Sequence, residues 1–121
     1  MNVKSFFTIH AIIALVFGLG FIVIPAQLVA LYGGELNVAG VFMARLFGSA
    51  LFTYAAVLWL ARDTEDSTAR RAIISGFFFT MFIGAGVALH AQLTGVVNVL
   101  GWSTVALYVA LGIGYGMLSR R

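Results

Sequence analysis

Four apolar runs, residues 6–24, 38–61, 72–93 and 99–118, take up most of this 121-residue chain. A helix that crosses a bilayer needs about 20 apolar residues at about 1.5 Å each, and every run meets that length. The composition agrees, with 62% hydrophobic and 9% charged residues and a mean hydropathy of +1.06, whereas a soluble domain carries about 25% charged residues. The length leaves no room for a separate soluble domain. The sequence therefore predicts an all-α, integral membrane four-helix bundle forming one domain over 1–121.

The basic residues orient these spans. Lys4, Arg62, Arg70, Arg71, Arg120 and Arg121 flank the runs on one side, and the opposite loops, near Gly33-Gly34 and Asn98, carry no Lys or Arg. Short loops rich in Lys and Arg stay cytoplasmic, so both termini are expected inside and the protein multi-pass in the inner (plasma) membrane. The net charge of +3 does not point to nucleic acid, because the basic residues border apolar spans instead of forming a patch with interleaved aromatics. The bilayer, with its anionic lipids, is the expected partner. With no Cys, disulfides, thiol redox chemistry and thiolate metal sites are excluded. The first run continues well past the length of a signal-peptide core and no clean A-x-A site follows it, so it reads as a retained helix.

Pro25 is the only proline, and it suits the first turn of a new helix better than a helix interior. A short extra helix over 25–32, closed by Gly33-Gly34, is expected after the first span. The segment 62–71 reads as a solvated turn in which Asp66 or Ser67 caps the next helix. Trp59, Trp102 and Tyr115 stand where interfacial aromatics belong. Small residues four apart recur on each span: Ala14 and Gly18; Gly40, Ala44 and Gly48; Gly76, Thr80, Gly84 and Ala88; and Ala106, Ala110 and Gly114. In lipid such stripes let helix backbones approach closely, so packing is their expected role.

Arg45 is the sharpest chemical signal, because an arginine this far into a span costs roughly 2.5 to 3.5 kcal/mol on insertion scales. It is either buried and paired inside the protein or extended to the outer headgroups. Glu35, His90 and Gln92 belong to the same outer side, so a polar pocket of Glu35, Arg45, His90 and Gln92 is the candidate site, with Glu35 or His90 as the expected partner of the guanidinium. The plainer reading of His90 is a histidine hydrogen-bonded at the interface. His10 and His90 differ in depth by roughly 20 Å and cannot share a haem iron or metal ion; a single axial histidine for a pigment remains open. Asp63, Glu65 and Asp66 lie in a solvated turn among arginines, where nothing apolar raises a carboxyl pKa. No catalytic constellation, metal site or cofactor site is expected.

The segments Pro25-Ala-Gln-Leu-Val-Ala-Leu-Tyr-Gly33, Ala44-Arg-Leu-Phe-Gly48 and Ala91-Gln-Leu-Thr-Gly-Val-Val-Asn-Val-Leu-Gly-Trp-Ser-Thr104 resemble a group of small uncharacterised prokaryotic four-span membrane proteins, which in turn is similar to the broader DoxX-like proteins. That resemblance covers nearly the whole chain and implies a four-helix bundle. It also implies the functions found among DoxX-like proteins: subunits of quinone-linked oxidoreductases, or maturation and accessory factors. Small multidrug exporters fit less well, since the first span lacks their embedded glutamate. Dual-topology fluoride channels need balanced flanking charge, which is absent here. The leading expectation is an accessory or scaffold membrane protein that contacts other membrane subunits or itself. Two alternatives are a lipid or small-molecule binding or transport protein with its pocket at Arg45, and a quinone-linked oxidoreductase subunit.

Overall fold

The computed structural model describes residues 2–120, and the expected charge at Arg121 lies outside them. Five helices follow one another: α1 (Val3–Val23), α2 (Pro25–Leu31), α3 (Val38–Ala61), α4 (Thr68–Leu93) and α5 (Gly101–Ser119). All but α2 are long and apolar enough to cross a membrane. The chain divides into two compact units, one ending at Asp63 and the other beginning at Thr64. In the first, α1 packs along α3 with α2 beside both; in the second, α4 packs along α5.

Local chemistry sets the helix ends. Asn2 accepts from the Ser5 amide at 2.8 Å, Asn37 from Gly40 at 2.7 Å and Ser67 from Arg70 at 3.2 Å, each satisfying a donor that the first helical turn leaves free. Ser67 is thus the cap of α4. Because that cap stands in the polar turn, α4 starts at Thr68, ahead of the apolar run at 72. The helix carries Arg70 and Arg71 in its first turn, since a helix can continue beyond its apolar stretch where water takes the charges.

The turns after α2 and α4 close in the same way. Gly34 donates to the Val29 carbonyl at 3.1 Å and Gly33 to Ala30 at 3.0 Å; Val96 donates to Ala91 at 3.0 Å and Gly95 to Gln92 at 3.4 Å. Both are Schellman motifs, which need a left-handed residue just past the helix. Gly33 and Gly95 supply it, with φ of 81° and 78°. The turn 94–98 is fixed further by Gln92, whose Nε2 donates to the Asn98 carbonyl at 3.1 Å.

In the first hairpin, α1 buries Phe7, Ala11, Ala14 and Gly18 and α3 buries Gly48, Leu51, Ala55 and Leu58, the three-and-four spacing of one helical face. The backbones come closest at Gly18 and Gly48: a Cβ built on Gly48 would lie 2.7 Å from the Gly18 carbonyl oxygen, and one on Gly18 would lie 3.0 Å from that of Gly48. In the second hairpin glycines meet rings. Gly112 lies under Phe82 and Gly116 under Phe78, where added Cβ atoms would come within 2.9 and 3.1 Å of the rings. Gly84 lies under Tyr108 of α5, and Phe77 stacks on Tyr115 at 5.5 Å.

Of the other expected packing positions, Gly114 is buried, Ala44 is half-buried and Ala110 is exposed. A Cβ at Gly76 would meet nothing within 4 Å, and the atoms nearest to one at Gly40 belong to Leu36 and Asn37 just before its own helix.

Candidate functional site

The four candidate residues divide between the hairpins, Glu35 and Arg45 in the first and His90 and Gln92 in the second, and each is described within its own.

Arg45 is exposed, seven residues after the start of α3 at Val38. Its Nε donates to the Ile22 carbonyl oxygen at 3.1 Å. That carbonyl is available because α1 ends there. Pro25 has no N–H to give to the turn before it and biases the preceding residue away from helical dihedrals; Ile24 accordingly sits at φ −130°, ψ 54°. The last carbonyls of α1 therefore lack ordinary helical donors, and a cation at a helix C-terminus is favoured by the helix dipole. Arg45 thus caps α1. Among the described residues no ion pair joins it to Glu35, which is exposed in the turn after α2 and lines an open hollow with Leu36, Asn37 and Gly40. The expected carboxylate partner is replaced by a main-chain oxygen, which residue types alone do not reveal, although Pro25 marked where the free carbonyls would be.

In the second hairpin Gln92 serves the turn that follows it. Its Oε1 is buried without a hydrogen-bond partner and lies against Gly101, where a Cβ would collide with it and with Val97. His90 is exposed, and its carbonyl accepts from the Thr94 amide at 3.0 Å and hydroxyl at 2.8 Å. His10 is 3% exposed and meets the Tyr54 ring edge-on at 6.4 Å, so an axial-ligand role would require that packing to open.

Most of the charged side chains of 62–71 are engaged, although the buried Nε of Arg70 has no hydrogen-bond partner. Lys4 bridges to Asp63 at 3.0 Å, and its hydrogen bond and charge hold the Asp63 carboxyl below the ordinary carboxylate value. Arg71 grips Asp66 with two bonds of 3.0 Å, which lowers that carboxyl too. Arg62 lies 4.0 Å over the Trp59 ring and donates to the Trp59 carbonyl. Arg70 donates to the Thr64 carbonyl at 3.1 Å. This is the chemistry of a folded, solvated turn.

No curated protein and no solved structure matches the chain. The model of a domain of unknown function, DUF8292, matches residues 8–119. Since that match runs through both hairpins, the chain belongs to the DUF8292 family.

Proposed function

We propose that the protein is a small multi-pass membrane protein of accessory or scaffold type, holding contacts with other membrane subunits or with itself. One observation carries this reading: large apolar side chains point outward along every long helix, among them Val16 (64% exposed), Phe42 (58%), Ile83 (69%) and Met117 (59%). A water-soluble protein rarely leaves so many large apolar side chains open, whereas lipid tails or another apolar helix accept them at no cost. The polar groups are largely engaged in the fold itself: Arg45 caps α1, Gln92 clamps a turn and Asp63 and Asp66 are ion-paired. The DoxX-like resemblance supports the same class.

The placement of Lys4, Arg62, Arg70 and Arg71 at one end of the hairpins' sequence pattern favours cytoplasmic termini in the inner membrane. A reporter fused after Arg121 is expected to be active only in a cytoplasm-sensing format, and periplasmic activity would overturn the orientation. Purification in mild detergent with mass measurement of the intact particle tests the scaffold role. The expected result is a particle containing a larger membrane subunit or further copies of this chain; a monomer retaining only lipid would overturn it.

A second reading, binding of a lipid or small molecule on the outer side, is favoured by Arg45, an exposed residue whose guanidinium is held through Nε alone.

A further inference from the structure

Arg45 combines features that a capping role alone does not require. Its guanidinium is attached through Nε to a fixed main-chain oxygen, at 3.1 Å, and the fork formed by its two Nη groups remains for another acceptor. Arginine presents five N–H donors in a planar fork that matches phosphate oxygens. Among the described residues it makes no ion pair, and the residue is exposed. Exposed apolar side chains adjoin it in sequence on the membrane side: Leu46 next to it on α3, and Leu19 one turn before Ile22 on α1.

The depth of this cation follows from helix length. The 21 residues of α1 extend about 31 Å at about 1.5 Å per residue, close to the roughly 30 Å of bilayer hydrocarbon. Ile22 is the penultimate residue of α1, so a helix that just spans the hydrocarbon carries the Ile22 carbonyl to its outer boundary. Arg45, bonded to that carbonyl, stands at the same level. The first two turns of α3 then rise above it, with α2 and the Gly33-Gly34-Glu35 turn on the headgroup side. At this boundary lipid phosphates lie directly above acyl chains, which is the polarity that Arg45 presents with Leu46 and Leu19 on the membrane side of it.

We infer that Arg45 is the anchor of a binding site for the phosphodiester of an outer-leaflet phospholipid, with Nε held by the Ile22 carbonyl and the Nη edge on the phosphate, while Leu46 on α3 and Leu19 on α1, on the membrane side of it, receive the acyl chains. The inference rests on the reading that α1 and α3 cross a bilayer. It differs from the four-residue pocket expected from the sequence in needing neither Glu35 nor His90.

The test uses full-length protein, delipidated in detergent and reconstituted with three probes: dioleoyl phosphatidylglycerol, dioleoylglycerol with the same chains and no phosphate, and inorganic phosphate. Native mass spectrometry counts what remains bound. The expected result is retention of the phospholipid in preference to dioleoylglycerol, no displacement by inorganic phosphate, and retention about tenfold weaker in Arg45→Met, the size expected for losing a hydrogen-bonded charge contact. Lys4→Met, at the other end of α1, should keep the tightest-bound lipid. If Arg45→Met does not fold, Arg45→Gln carries the test, because it keeps an N–H donor for Ile22 but loses the charge. Equal retention in the folded Arg45 variant, equal loss in Lys4→Met, equal binding of dioleoylglycerol, or displacement by inorganic phosphate would each overturn the inference. Extraction of the wild type from membranes by alkaline carbonate would instead overturn the membrane reading, so the two failures are distinguishable.

Discussion

The two hairpins use glycine for opposite purposes. In the first, Gly18 and Gly48 bring main chain onto main chain, and each glycine's missing Cβ is replaced by the other helix's carbonyl. In the second, Gly84, Gly112 and Gly116 are recesses for Tyr108, Phe82 and Phe78, so ring and glycine together fill the volume of two ordinary side chains. A backbone cannot be trimmed or rotated aside, whereas a ring can. The first hairpin should therefore be brittle to small additions and the second compliant.

Gly48 offers the largest expected effect. Its added Cβ would stand 2.7 Å from the Gly18 carbonyl oxygen, 2.9 Å from Ile22 Cγ1 and 3.0 Å from Phe21 Cβ, so even Gly48→Ala must push α1 and α3 apart. Overpacking of this kind costs about 1 to 3 kcal/mol, and Gly48→Leu should cost more than Gly48→Ala. Thermal unfolding in detergent measures it, with Phe79→Leu, at a position 64% exposed, as the near-neutral reference. Equal effects at Gly48 and Phe79 would show that the close approach does not matter. Because Ile22 also carries the carbonyl that Arg45 caps, moving α1 should weaken that bond as well.

The second effect is smaller and can be rescued. Gly84→Ala collides with Tyr108, but removing the ring removes the collision, so Tyr108→Ala should recover part of the loss. A double-mutant cycle is expected to give a coupling of about 0.5 to 3 kcal/mol, the range for residues in contact. No side-chain deletion can rescue Gly48→Ala in the same way with respect to the Gly18 oxygen. Gly76→Ala is the control: with nothing within 4 Å of its Cβ, it should be neutral, or stabilising by up to about 1 kcal/mol from helix propensity. A coupling near zero for Gly84 and Tyr108, or a large loss at Gly76, would erase the contrast between the hairpins.

Gly48 and Gly76 also mark how far the sequence is readable. Both stand in stripes of small residues four apart, yet one abuts a backbone and the other faces open space. Spacing fixes which residues share a face of their own helix; it does not fix the rotation that turns this face toward a partner. On α5 the stripe through Ala106 and Ala110 is exposed, and the surface meeting α4 is that of Tyr108, Gly112 and Gly116. The helix limits were more legible, because hydropathy, the cap Ser67, Pro25 and the Gly33-Gly34 pair are local signals. Arg45 stood out as an anomaly of charge, but its partner at Ile22 is a carbonyl that every residue possesses, and only the fold selects it.

The smallest expected difference between the hairpins lies in their ion pairs. Lys4 and Asp63 join the start of α1 to the residue range just after α3 at 3.0 Å, tying together the two ends of the first hairpin. Asp66 and Arg71 join residues five apart in the second. Hydrogen bonding and charge lower both carboxyls from their ordinary value of 3.8. A carboxyl held lower in the folded state contributes stability that is fully present above pH 3.8 and is lost as the pH falls through its folded value. The wild type should therefore exceed Lys4→Met in thermal stability by a constant small margin from pH 7 down to near 3.8, and the margin should close below that. Arg71→Met should show a smaller margin with the same pH profile, since its pair closes only a local turn. Both pairs are exposed to solvent, so salt should shrink both margins. A Lys4 margin that persists after Asp63 is protonated would mean that Lys4 supports the first hairpin through something other than this carboxylate.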